Sequence, residues 1–240
     1  MMQRRAQSGF SLMELALVLA LVAVMMSFGL EGINGFDTVK RIETTEERLE
    51  YIQTAIDKYV DDNSAYPCPA RLDRRFNNVT GDGDPEFGEA SCDTSFVTGI
   101  ASDTVLVGAL PVKALNLPER YASDGWGNKL VYIVSEDVTT GGTGSSGNGV
   151  IDIRYGTPGG NLSLTTAGAY MVISHGPEAT GATGIKSASA NSCSLDSTPN
   201  SYNCNFSTNV FYDTTHDYEV GNTTSFFDDY VVWKAADNGL

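Results

Sequence analysis

Histidine is nearly absent from this chain, with only His175 and His216 among 240 residues. Basic residues are scarce too: 15 Lys and Arg face 30 Asp and Glu, for a net charge of −15. A surface of that sign disfavours nucleic acid and anionic lipid, because phosphate contacts need clustered Lys and Arg. The four cysteines, Cys68, Cys92, Cys193 and Cys204, form no C-x-x-C pair. With so few histidines beside them, a zinc site is disfavoured. No G-x-S-x-G elbow is present and no serine sits in a triad context. The chain is therefore read as a non-enzyme with no catalytic residues and no cofactor-binding residues.

The most local absence is also the most informative. No Lys, Arg or His lies between Arg5 and Lys40. Within that interval, residues 10–30 form a run interrupted only by Ser11, Glu14, Ser27 and Gly29. Leu, Ala and Met dominate the run, and they are strong helix formers. As a helix, 21 residues measure about 32 Å, enough to cross a hydrocarbon core of roughly 30 Å. Glu14 does not belong in such a segment, where a carboxylate costs roughly 2.5–3.5 kcal/mol on insertion scales. It needs a positive partner, and the neighbouring sequence offers no basic side chain. A free amino group at Phe10, made by cutting after Gly9, would supply one. A secretory signal has its cleavage site after the apolar segment, where Ser27, Phe28 and Gly29 make a poor match.

The residues G-F-S-L-M-E at 9–14, followed by the apolar run, resemble the cleavage and methylation motif of type IV prepilins and type II secretion pseudopilins. The resemblance implies that a prepilin peptidase cuts between Gly9 and Phe10 and that the new amine is methylated. It further implies that Glu14 neutralises the Phe10 amine of a neighbouring subunit as a helical filament grows from an inner-membrane assembly platform. Partners would then be further copies or related pilins. Arg4 and Arg5 before the span, with Glu31 and Asp37 after it, place the N-terminus in the cytoplasm. The expected location is the inner membrane before assembly, then a periplasmic or extracellular filament. Within this family the chain reads as a type IV pilus subunit. The alternatives are a secretion pseudopilin or an adhesin-like minor pilin.

The expected organisation is a leader at 1–9, a transmembrane and filament-core helix at 10–30, an amphipathic helix at 31–63 and a globular domain at 64–240. Gly29, Gly32 and Gly35 loosen the junction between the helical halves, each by up to about 1 kcal/mol relative to Ala. Beyond them Val39, Ile42, Leu49, Ile52, Ile56 and Val60 recur at helical spacing. Pro67 and Pro69 end the helix. Strand signals follow at 104–112, from about Leu130 within 124–136, and at 150–156, 169–177, 209–213 and 228–235. Short strands between turn residues predict an α+β fold, a long N-terminal helix packed on an antiparallel sheet.

DGWGNKLVY at 124–132 is similar to the D-P-W-G-N-x-Y motif of major pseudopilins, with Gly125 in place of proline and the aromatic moved to Tyr132. It is expected to be a fold determinant: Asp124 and Asn128 cap turns and Trp126 packs on the sheet. Outside the cytoplasm the cysteines should pair. Three connectivities are possible. The sequence-local one, Cys68–Cys92 and Cys193–Cys204, is favoured, at about 3 kcal/mol for each loop. Asp82, Asp84, Glu86 and Glu89 form an oxygen-rich loop and are candidate calcium ligands. The twelve-residue EF-hand spacing is missing, and a solvated acidic loop is the simpler reading. His175 is expected to be a turn residue bonding the backbone. Asp228 and Asp229, on opposite faces of a strand, are expected to solubilise an edge.

Overall fold

A computed structural model of the chain describes residues 11–76, 85–93, 105–139, 149–193, 197–217 and 225–236, with the backbone alone at 26–35. One helix, α1, runs over Leu12–Asn63, 52 residues. Its backbone is helical through Gly29, Gly32 and Gly35. It stops where Ser64 takes a left-handed φ of 53°, with the Ser64 amide donating to the Val60 carbonyl at 2.7 Å. This is the geometry by which a left-handed residue closes a helix C-terminus. The stop comes three residues before Pro67. Among the described residues no helix is long and apolar enough to cross a membrane; the described side chains of the apolar run end at Met25.

The chain divides into two compact units, 1–42 and 43–240. In the second, six strands form one sheet: β1 Val105–Ala109, β2 Val131–Ser135, β3 Ile151–Tyr155, β4 Leu162–Ser174, β5 Val210–Tyr212 and β6 Tyr230–Ala235. The order is β1-β2-β4-β3-β5, and β6 also pairs with β4. The pairings are antiparallel except for β3 with β5, which is parallel. The expected all-antiparallel sheet is thus corrected to a mixed one. The exception follows from strand order: β4 runs antiparallel to β3, and the chain beyond it, which includes α2, Pro199–Cys204, reverses once more before β5 joins the other side of β3. Parallel neighbours cannot be joined by a tight hairpin.

Both sheet faces are covered, so β1 and β2 read as continuous apolar runs. One face carries Val107, Val131, Ile133, Ile153, Met171 and Phe211, closed over by Ala70 and Leu72. The chain reaches this face because Gly108 has no side chain: a Cβ there would strike the Ala70 carbonyl and Pro69. Ala70 and Ala109 then exchange backbone hydrogen bonds at 2.8 and 2.7 Å. The second half of α1 buries Leu49, Ile52, Ile56 and Val60. Tyr66, just past the helix, meets Tyr170 of β4, ring centroids 5.4 Å apart, and Tyr170 in turn approaches Tyr132 of β2 at 6.2 Å. Of the helical positions expected to face inward, Val39 is exposed and Ile42 half-buried. Thr45, polar and therefore overlooked, is fully buried and accepts the Gly125 amide at 2.9 Å.

Candidate assembly site

Gly9 and Phe10, the expected processing residues, lie outside the described residues, as do Arg4 and Arg5. The described part of the site starts at Ser11. Its hydroxyl accepts the Met13 amide at 3.2 Å, and its carbonyl accepts the amides of Glu14 and Leu15 at 3.0 and 3.1 Å. Ser11 is therefore the N-cap of α1, and Glu14 stands three residues on, in the first turn. A serine followed three residues later by glutamate is the capping-box spacing. The helix dipole also favours a carboxylate in the first turn. Glu14 is exposed, so its carboxylate is open to a further partner.

From Leu12 to Met25 every side chain is exposed. Leu12, Met13, Leu17 and Leu19 are exposed by 88, 81, 59 and 60%. With Leu15, Val18 and Leu21, exposed by 53, 48 and 53%, these positions circle the helix and are not confined to one stripe. An all-round apolar helix is normally buried. The exposed side chains here are large and contiguous, the kind of patch that marks an interaction surface. The chemistry available is apolar packing around a single acid.

The DGWGN segment sits within the globular unit, where it joins α1 to the sheet. Asp124 Oδ1 accepts the amides of Trp126 and Asn128, both at 2.9 Å. Its Oδ2 accepts the Ser174 hydroxyl at 2.8 Å. Gly127 supplies the positive φ of 86° that the turn needs. The Trp126 ring lies 5.7 Å from that of Tyr230. Arg48 of α1 donates to the carbonyls of Ser123 and Asp124 at 2.6 and 3.0 Å. Burial raises the Asp124 carboxyl above its ordinary range, opposed by those two amides and the Ser174 hydroxyl. Lys129, next in the sequence, is fully buried and donates to the carbonyls of Leu72 and Ser187 at 2.5 and 2.8 Å. Burial pushes its ammonium down to about 8. Nothing in the spacing of K-L-V-Y-I-V marked this lysine as interior; only its position at the head of an apolar strand hinted at it.

The cysteines pair as favoured, Cys68 with Cys92 and Cys193 with Cys204. Of the calcium candidates, Asp82 and Asp84 lie outside the described residues. Glu86 and Glu89 instead flank Lys113 at 3.3 and 3.2 Å. Glu89 also accepts the Glu86 amide at 2.9 Å. That amide, followed by Lys113, holds the Glu89 carboxyl below its ordinary range. Among the described residues no three His, Cys, Asp or Glu are grouped to hold a metal. His175 is corrected: it is fully buried, its ring nitrogens bond no backbone, and Nδ1 lies 3.4 Å from Asp229 Oδ1. Asp228 and Asp229 are corrected likewise, being 0 and 1% exposed.

No family model matches this chain, and no curated protein or solved structure does either.

Proposed function

We propose that this chain is a structural subunit of a type IV pilus-like filament. In this reading the leader is removed after Gly9. The apolar helix rests in the inner membrane and then packs against the helices of neighbouring subunits. Glu14 meets the methylated Phe10 amine of another copy in a core that holds little water. The observation that carries the reading is the continuous, all-round exposure of apolar side chains from Leu12 to Met25 around one acid. Lipid satisfies such a surface before assembly and neighbouring helices satisfy it afterwards, which gives the subunit a reason to leave the membrane only into a bundle. The desolvated carboxylate and amine then set register, because a slipped neighbour would leave both unpaired.

The globular unit supports the reading as a stably folded surface domain. Two disulfides suit an oxidising compartment outside the cytoplasm.

The test is assembly of Glu14→Ala and Glu14→Gln in cells that assemble the wild-type chain. Both variants should accumulate in the membrane and yield few or no filaments on shearing, while the globular unit keeps its disulfides. Wild-type yields of regular filaments from Glu14→Ala would sink the pairing.

A further inference from the structure

The chain enters β6 through Asp228 and Asp229, and leaves β4 through Ser174 and His175. The register that pairs Ser174 with Tyr230 sets these two dipeptides side by side. All four residues are 0–1% exposed. The Asp228 carboxyl is received with care on one side only. Its Oδ2 accepts the Glu178 amide at 2.9 Å. Gly176, at φ 56°, makes room for it, since a Cβ there would lie 2.9 Å from Oδ2 and strike the Asp228 carbonyl. On the other side Oδ1 is buried with no donor. Asn200 of α2 also acts on this carboxyl, favouring its ionised form against the burial that opposes it, and Asn200 Oδ1 is itself buried with no donor. A buried acceptor left without a donor is costly. A proton on Asp228 Oδ1 removes the charge that this orphaned oxygen would otherwise carry unpaired.

The surrounding charges require the same proton. Asp229, the next residue, is buried with both carboxylate oxygens unpartnered, 3.4 Å from the His175 ring. Glu178 of the turn after β4 adds another negative charge beside Asp228. Asp124 lies behind Ser174. Arg48 of α1 is engaged by the carbonyls of Ser123 and Asp124. His216 bonds the Asp229 carbonyl, not the carboxylate, at 2.8 Å. Adjacent buried carboxylates cannot both remain ionised cheaply.

We infer that Asp228 is held as the neutral acid in the folded subunit, and that its proton fastens the start of β6 to the turn after β4. Loss of the proton would leave two neighbouring buried carboxylates and unlatch the last strand. Burial, and then Asp229, push the Asp228 carboxyl up to about 7. In the unfolded chain it titrates at about 3.9. Between those values the folded state binds the extra proton. The stability this group contributes is complete below about pH 4 and is lost as pH rises through about 7. The fastening thus strengthens on mild acidification, opposite to the behaviour of an ordinary paired carboxylate.

The full chain in detergent micelles tests this through urea midpoints measured from about pH 5 to about pH 8.5, compared with Asp228→Asn. The amide is neutral throughout and keeps an acceptor for the Glu178 amide. The wild-type midpoint should fall relative to the variant as pH rises through neutrality, and the variant should be the more stable protein at the alkaline end. A constant difference between the two across the interval overturns the proposal, as does a wild type that gains on the variant. Should Asp228→Asn fail to fold, carboxyl-carbon NMR of the wild type decides the matter. One aspartate titrating near neutrality supports the latch, and titration of every aspartate in the ordinary acidic range overturns it.

Discussion

The two ends of α1 obey opposite rules. From Leu49 to Val60 the apolar residues occupy one face, and Leu49, Ile52, Ile56 and Val60 are 9% exposed or less. From Leu12 to Met25 apolar residues occupy every face and all are exposed. The later turns have their partners within the same polypeptide. The earlier ones bury none of their side chains among the described residues; on the proposed reading, lipid or other copies cover them. On that reading one helix contains a folding element and an assembly element. Substitutions in the two stretches should fail in different assays.

The largest expected effect lies in the later stretch. Ile52→Ala or Ile56→Ala removes a fully buried side chain and should destabilise the globular unit by about 2–5 kcal/mol, read from the urea midpoint. Loss of either disulfide, by Cys68→Ser with Cys92→Ser or by Cys193→Ser with Cys204→Ser, should cost about 3 kcal/mol. The 24-residue separation of the first pair should cost slightly more than the 11 of the second. Lys129→Met deprives two carbonyls of their donor and should cost about 1–3 kcal/mol. Its ammonium is depressed to about 8 from an ordinary 10.5. The unfolded chain therefore holds more protons between those values, and wild-type stability should rise with pH across that window. Lys129→Met should lack the rise. The smallest effect belongs to the early stretch: Leu17→Ala or Leu19→Ala should shift the midpoint by less than about 0.5 kcal/mol, yet reduce filament yield. A large loss of globular stability from Leu17→Ala would break the distinction between the two stretches.

Much of the scaffold was legible because its signals are periodic. The three- and four-residue spacing of Leu49, Ile52, Ile56 and Val60 located the buried face. The β-branched runs located the centres of β1, β2, β3, β5 and β6. Their ends were less clear, and the first half of β4 escaped notice because Leu162, Ser163, Leu164 and Thr165 look like polar loop. There Leu162 and Leu164 are exposed at 66 and 40%, so burial never imposed an apolar pattern. Helix α2 escaped because it has six residues. Its signal was Thr198 before Pro199, an N-cap followed by proline at the first helical position. The polar interior could not be read at all. Asp228, Asp229, His175 and Lys129 each look like surface residues in sequence, and only the β4–β6 register and the loops over the sheet bring them inside. Glu14 is the reverse case. Its apolar neighbours advertised it, while its place in the first turn after the Ser11 cap went unnoticed.

The most direct test of the assembly account is the mass of the N-terminal peptide from sheared, washed filaments. The account predicts a peptide that begins at Phe10, carries a methyl group on its amine and contains Glu14 unmodified. Fibres built from chains that still begin with the first nine residues would contradict it, because the amine that Glu14 is meant to meet would not exist.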